Sequence, residues 1–288
     1  MTARIVSGLA ELAAGFDALI LDLWGVIHDG VEAYPGAAEA MRAIREAGKA
    51  TLLLSNAPRR AEALVEQLAR LGIGRDLYDH VLSSGEAVHT ELRDRASPFY
   101  AGLGRALYHL GPERDTNVFE GLDYVAVDIG HADFILNTGP WEFDETVEDY
   151  VPVMRRGLER GLPMVCANPD HVVMRQGRPV VCAGALAAWY RAEGGLVSEL
   201  GKPDPAIYDM ALDLLGVGRE RVLAVGDALH TDVKGANRAG LRAVFVTQGI
   251  HAEELSIRPG ETPSAAALRE AYARHGQTPL AAMASFRW

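Results

Sequence analysis

Cysteine is nearly absent: the 288-residue chain has two, Cys166 and Cys182. Both sit in apolar, strand-like runs without metal-ligand spacing, which argues against a disulfide framework and reads them as reduced core residues. Basic charge is also scarce. With 28 Lys and Arg against 39 Asp and Glu, the formal charge is −11, which lacks the cationic footprint of a general nucleic-acid binder. It leaves an anionic small molecule open, because a local cation, a metal or helix N-termini outweigh distant charge. No apolar run approaches the roughly 18 residues of a membrane span. The first residues, MTARIVSGLAELAAGF, follow a short amphipathic helix pattern rather than a signal peptide. The expectation is a cytoplasmic protein with neither membrane nor nucleic acid as partner. Internal repeats and low-complexity linkers are missing too, so an inserted unit would be docked rather than tethered.

What is present is ordinary for a globular chain, with 49% apolar and 23% charged residues, at a length suited to one large domain or two smaller ones. Short apolar runs alternate with stretches of helical periodicity: ATLLLSNAPR, a helix over 59–71, HVLSSGEAVHTEL. This alternation predicts a parallel α/β sheet with right-handed crossovers. Between about Gly85 and Ala192 it continues with its own rhythm, through the strand candidates ALYHLG, YVAVDI, ADFILNTG, PMVCANPD and PVVCAG. From Leu200 the first pattern resumes. The expected organisation is a Rossmann-like core of residues 1–85 and 193–288 with an α/β cap inserted at 86–192. The tail, TPLAAMASFRW, carries little pattern.

The chain is organised around LILDLWGVIHDG, residues 19–30. A short apolar run reads as a strand buried on both faces. It stops at Asp22, where Gly25 and Gly30 allow tight turns. A carboxylate at the carboxyl end of such a strand lies where open α/β sheets place ligands, although a lone Asp also ends strands and caps helices. Three further strand ends carry polar residues: Ser55 and Asn56, then Lys202 in GKPDP, then Asp227 and Asp232 in VGDALHTD. Ser55 alone reads equally as a helix cap, and Lys202 as a solvated surface residue. A carboxylate, a hydroxyl, a lysine and an acid pair in this order are hard to obtain by chance.

In these residues, and in the cap segments ANPD (167–170) and CAGALA (182–187), the chain resembles the haloacid dehalogenase (HAD) superfamily. More narrowly it is similar to the class IIA branch of nucleotide, aryl, sugar and pyridoxal phosphatases. The resemblance implies that Asp22 attacks phosphorus and becomes a transient aspartyl phosphate. It implies that Ser55 and Asn56 bind the phosphoryl oxygens, and that Lys202 balances charge. Mg²⁺ would be held by Asp22, the Trp24 backbone carbonyl, Asp227 and Asp232, oxygen donors that suit this ion. Asn168 and Asp170 end a cap strand and are expected to reach the substrate, a small phosphorylated molecule; an Asn-Pro-Asp turn made for its own hydrogen bonds reads equally well there. Dimerisation through the cap is a further expectation of the resemblance.

One position departs from the pattern. The residue two after the nucleophile is a second Asp in the family's phosphatases, where it protonates the leaving oxygen and then activates water. Here it is Trp24. An indole offers one N–H donor and no exchangeable acid near neutral pH, and losing a general acid typically forfeits about 10²–10⁴ in rate. His28 or Asp29 could replace it, the substrate could have an acidic leaving group, or the protein could bind phosphorylated ligands without turnover. The family's dehalogenases also carry an aromatic here, but GDALHTD keeps the metal-binding form and the cap is of the phosphatase kind. The favoured expectation is a specialised phosphohydrolase.

Overall fold

The computed structural model describes residues 4–258 and 260–288. In chain order its strands are β1 (Ala18–Leu21), β2 (Ala50–Ser55), β3 (His80–Ser83), β4 (Ala106–Leu110), β5 (Val125–Ala126), β6 (Phe134–Asn137), β7 (Met164–Cys166), β8 (Val172–Arg175), β9 (Arg178–Val181), β10 (Val197–Glu199), β11 (Val222–Gly226), β12 (Arg242–Val246) and β13 (Ala281–Met283). The helices are α1 (Ala37–Glu46), α2 (Ala61–Arg70), α3 (Ser84–Asp94), α4 (Pro98–Ala101), α5 (Val147–Glu159), α6 (Ala183–Ala192), α7 (Pro205–Leu215), α8 (Lys234–Arg238) and α9 (Ala265–His275).

Both ends of the chain build one parallel sheet in the order β13-β12-β11-β1-β2-β3. All four residues of β1 are buried, as a strand flanked on both edges and covered on both faces requires. Helix α1 shows how the covering layer forms. Its apolar residues Ala37, Ala40, Met41 and Ile44 fall at helical spacing and are the four that are buried. Burying Met41 and Ile44 contributes roughly 1.5–3 kcal/mol each. From β1 the chain moves to one side, to β2, while β11 pairs on the other. The strand order therefore switches at β1, and the carboxyl ends of β1 and β11 open onto the crevice where such sheets bind ligands.

The middle of the chain forms a second parallel sheet, β10-β7-β6-β4-β5. Tyr150 and Met154 of α5 and Leu186 and Tyr190 of α6 pack with Ile135 on one face. Val88 and Leu92 of α3 pack with Leu107, Phe134 and Leu136 on the other. Edge strand β10 lies beyond residue 192, the expected end of the insertion, and pairs Val197 with Met164 there.

Several elements differ from the sequence expectation. Only Val125–Ala126 of YVAVDI is strand. PVVCAG does not join the sheet: β9 pairs antiparallel with β8 in a separate hairpin. Gln176 and Gly177 at its tip have φ of 49° and 72°, the pattern of a two-residue turn between twisted strands. The amphipathic N-terminal stretch folds as two short 3₁₀ turns, Leu9–Glu11 and Ala13–Gly15, with residues 1–3 outside the described residues. No helix among the described residues is long and apolar enough to cross a membrane.

Candidate active site

Asp22 is the first residue past β1, buried, with its N–H donating to the Val225 carbonyl at 2.9 Å. The chain then turns through Gly25 at φ +76°, where a Cβ would stand 2.0 Å from Asp227 Oδ2. Only glycine fits so close to that carboxylate. Lys202 enters from the loop before α7 and is buried to its tip. Its Nζ donates to Asp22 Oδ1 at 2.6 Å and Asp232 Oδ1 at 2.7 Å. Burial opposes its charge, but the two carboxylates override this and hold its pKa well above the ordinary lysine value.

Asp227 follows β11 and accepts the Ile250 N–H at 2.8 Å. Asp232 lies in a π-type turn, Leu229–Val233, and accepts the Ala228 N–H at 3.1 Å. Such turns often mark functional sites. Burial, then the Asp232 charge, raises the Asp22 pKa and pushes Asp227 to about 7. Donor oxygens of Asp22, Asp227 and Asp232 lie within 4.8 Å of one another. Burial and mutual repulsion thus oppose ionising all three carboxylates beside one ammonium, an excess of negative charge that a divalent cation would relieve. An all-oxygen set with that excess fits Mg²⁺, and the Trp24 carbonyl accepts no backbone hydrogen bond among the described residues.

Ser55, at the end of β2, is buried and its Oγ accepts the Ala57 N–H at 3.2 Å. Asn56 is a clasp: its Oδ1 accepts the Lys202 N–H at 2.8 Å, and its Nδ2 donates to the Lys202 carbonyl at 3.0 Å and to Asp170 Oδ1 at 2.7 Å. Its side chain is thus committed to the lysine and the cap. Asn168 Oδ1 accepts the Asp170 N–H at 3.0 Å, the local turn bond that the Asn-Pro-Asp sequence suggested. All these side chains, with Asp22, Trp24, Lys202, Asp227 and Asp232, line one cleft of about 1120 Å³ between the two sheets.

The expected substitutes for the missing acid fare differently. His28 is buried and is not among the cleft-lining residues. Its Nδ1 accepts the Gly30 N–H at 3.0 Å, and burial pushes its pKa down to about 4. It is a neutral structural imidazole near pH 7. Asp29 does face the cleft, with one oxygen taken by the Val31 and Glu32 N–H groups at 2.9 Å. The Trp24 ring packs edge-on against His28 at 5.4 Å and over Gly30, where a Cβ would be 2.0 Å from the indole.

Sequence reasoning missed several neighbours. Gly249 after β12 stands where a Cβ would be 1.8 Å from Asp227 Oδ2; a glycine just past a buried strand was the available signal. Behind the Asp227–Asp232 loop, His251, Glu254 and His275 lie within ligand distance of one another. His251 Nε2, however, accepts the Leu229 N–H at 3.1 Å. A neutral imidazole accepting there carries its proton on Nδ1, which then donates to Glu254 Oε2 at 2.6 Å. That tautomer makes the group a hydrogen-bonded brace rather than a metal cage.

Known proteins resemble the chain in sequence and in fold. A family model described as haloacid dehalogenase-like hydrolase matches residues 19–125, and a second, HAD-hydrolase-like, matches residues 199–278. The structure of a haloacid dehalogenase-like hydrolase from Brucella suis 1330 superposes with a TM-score of 0.84 at 32% identity, covering 98% of this chain and 100% of that one. The chain belongs to the haloacid dehalogenase-like hydrolases. Within that superfamily it falls in the class IIA branch. Human glycerol-3-phosphate phosphatase is 28% identical over 262 residues, 83% of this chain and 81% of that protein. The 4-nitrophenylphosphatase of Thermotoga maritima superposes with a TM-score of 0.70 at 26% identity, over 95% and 96% of the two chains. The two model matches of this haloacid dehalogenase-like hydrolase flank the second sheet's last strands and together contain Asp22, Ser55, Lys202, Asp227 and Asp232.

Proposed function

We propose that this haloacid dehalogenase-like hydrolase is a Mg²⁺-dependent phosphohydrolase acting on a small phosphorylated metabolite through an aspartyl phosphate on Asp22. The observation that carries the reading is Lys202 Nζ held between Asp22 Oδ1 and Asp232 Oδ1 at 2.6 and 2.7 Å. A buried ammonium bonded to Asp22 opposes the burial and the Asp232 charge that raise its pKa, and offers positive charge where a phosphoryl group would approach. Phosphoryl transfer is mainly positioning and charge stabilisation, and these side chains supply both. An Asp22 oxygen forms the bond to phosphorus as the bond to the leaving oxygen breaks; water then cleaves the acyl phosphate. Asp22, the Trp24 carbonyl, Asp227 and Asp232 would hold Mg²⁺, which supplies neutralisation of phosphoryl charge when bound. Ser55 would bind a phosphoryl oxygen. Two relatives named as phosphatases support the class of reaction.

Trp24 sets the substrate's character. With an indole in place of the expected carboxyl and His28 buried and neutral, the acid of the family pattern is missing, and Asp29 faces the cleft with one oxygen tied to the Val31 and Glu32 N–H groups. Aryl, enol and acyl phosphates leave without protonation, so these are the esters the site hydrolyses best. Trp24 also sustains a second reading, a protein that binds phosphorylated ligands and does not turn them over.

The test is phosphate release from 4-nitrophenyl phosphate with Mg²⁺, repeated after EDTA and with Asp22→Asn. Release that needs the metal and Asp22 supports the proposal. Tight binding of the ester with no release supports the second reading. Halide release from a 2-haloacid would overturn both.

A further inference from the structure

Some arginines of the fold are hydrogen-bonded, Arg60 to Glu86 at 2.9 and 3.0 Å, Arg160 to the carbonyls of Ile129 and Ala132, Arg221 to Asp17, while others are left to solvent. Of the five that line the active-site cleft, Arg287 bonds Ser285 Oγ at 3.0 Å and Arg70 lies 3.9 Å from Glu66 on its own helix, which leaves three. Among the described residues the side chains of Arg59, Arg114 and Arg175 make no hydrogen bond. Arg59 follows the Ser55–Asn56 turn in the core; its buried Nε forms an ion pair with Oδ1 of buried Asp115 at 3.5 Å, without a hydrogen bond on either atom. Arg114 precedes Asp115 in the cap. Arg175 comes from the β8–β9 hairpin. Arg114 and Arg175 lie over the ring of exposed Phe143 at 5.1 and 4.4 Å from its centroid, so their guanidinium carbons are less than 10 Å apart.

Arg59 and Arg114 both face Asp115, which ties the three into one cluster. Its positive charge exceeds the negative, with Asp115 and the neighbouring Glu142 the acidic residues beside it on the cleft wall. A guanidinium carries five N–H donors in a planar fork suited to carboxylate or phosphate. Arg114 is exposed and Arg59 and Arg175 are partly buried, so water reaches these donors and an anion in the cleft can displace it for charge-assisted hydrogen bonds. None of the three pairs with Asp22, Lys202, Asp227 or Asp232. The cleft, at about 1120 Å³, exceeds the usual ligand pocket of roughly 300–1,000 Å³ and has room for a ligand touching both clusters.

We propose that Arg59, Arg114 and Arg175 form a second anion subsite, which takes a carboxylate or second phosphate at the end of the substrate remote from the scissile ester. The Phe143 ring holds Arg114 and Arg175 near each other by cation–π contact. The substrate is then a dianionic-ended organic phosphate rather than a neutral alcohol or aryl ester. The assignment of the scissile end rests on the phosphohydrolase reading above; the subsite itself does not.

The experiment compares phenyl phosphate, 4-carboxyphenyl phosphate and 4-(phosphonomethyl)phenyl phosphate on the intact protein with Mg²⁺. KM is expected to be at least about tenfold lower for one or both anionic esters, one charge-assisted contact being worth that much. Which ester shows the gain distinguishes carboxylate from phosphate. In Arg114→Gln and in Arg175→Gln the ratio of KM between phenyl and anionic ester is expected to fall toward one, with Arg→Lys restoring part of it. A ratio near one in the unmodified protein, or an unchanged ratio in both variants, overturns the subsite. If no ester is hydrolysed the phosphohydrolase reading fails by itself. Calorimetry with phenylphosphonate against 4-carboxyphenylphosphonate and 4-(phosphonomethyl)phenylphosphonate then decides the subsite alone, equal affinities for the three overturning it.

Discussion

Asn56 Nδ2 donates to Asp170 Oδ1 at 2.7 Å across 114 residues of sequence, joining the core loop after β2 to the cap turn after β7. Burial raises the Asp170 pKa, and Lys202 and the Asn56 bond work against that. Asp170→Ala removes only this tie, while Asn56→Ala also frees both backbone groups of Lys202. The expected outcome is a KM rise of roughly tenfold for Asp170→Ala, the worth of one charge-assisted hydrogen bond. Asn56→Ala is expected to lower kcat by about 10²-fold, because Lys202 loses its orientation. A double-mutant cycle should return a coupling of about 1–2 kcal/mol. Equal and additive effects would show that the contact does not join cap position to the site.

Lys202 holds two buried carboxylates that, among the described residues, have no other cation within bonding distance. Lys202→Met leaves them uncompensated, and breaking one side of a buried pair costs about 3–5 kcal/mol. Thermal denaturation in EDTA should therefore show a large drop in Tm. Added Mg²⁺, which stabilises any protein it binds only when folded, should recover more of the loss in the variant than it adds to the unmodified chain. A Tm indifferent to Mg²⁺ in both proteins would count against the Asp22–Asp227–Asp232 metal site.

Trp24→Asp places a carboxyl where the family's phosphatases carry their acid. For an alkyl phosphate, whose leaving oxygen needs a proton, kcat is expected to rise by about 10²-fold or more. For 4-nitrophenyl phosphate it should change by less than about tenfold. The indole packs on Gly30 and His28, so some stability is lost, and activity is best compared at a temperature where both proteins are folded. An equal gain for both esters would mean that the acid is not what the site lacks.

The fold was legible where the physics is local. A strand buried on both faces must be apolar, and β1, β2 and β11 are; a covering helix must show its apolar face at helical spacing, and α1 does. Asp22, Ser55 and Asp227 could be picked out because strand ends in one parallel sheet converge on one edge, whereas Lys202, in the loop before α7, and Asp232, in the π-type turn, stood out by motif order. Two kinds of feature were not legible. β13, Ala-Ala-Met, has neither alternation nor β-branched residues, and is a strand only because β12 offers it a ladder. The Asn56 clasp and the arginine cluster depend on groups brought together over long sequence separations. Singly, each arginine reads as part of a solvated face.

His251 braces the loop that carries Asp227 and Asp232. Its Nε2 accepts the Leu229 N–H at 3.1 Å, and Glu254, which its Nδ1 meets at 2.6 Å, is itself held by Arg274 and His275 of α9. His251→Ala removes the acceptor and leaves a buried N–H unpaired, a cost of about 1–3 kcal/mol. The loop should loosen, and Mg²⁺ affinity should weaken by about tenfold or more, as when outer partners of a metal site are lost. His251→Asn keeps an acceptor and should recover part of the affinity. Calorimetric titration of the two variants with Mg²⁺ reads this directly. Unchanged affinity in His251→Ala would show that the brace serves stability alone.

The cap offers a cleaner reading of pH. His109 of β4 is partly buried with Nε2 2.9 Å from Thr138 Oγ1, and burial alone pushes its pKa down to about 4. The unfolded chain, near 6.5 for histidine, binds this proton more readily than the folded one. Stability from keeping His109 neutral is therefore complete above about pH 6.5 and is lost as the pH falls from there toward 4, by up to about 1.4 kcal/mol per pH unit. His109→Gln keeps a partner for Thr138 and cannot titrate. Urea midpoints measured between pH 7 and 4.5 should fall less steeply in the variant than in the unmodified protein. Parallel curves would mean that His109 is protonated in the folded cap, with β4 or its neighbours giving way to admit water.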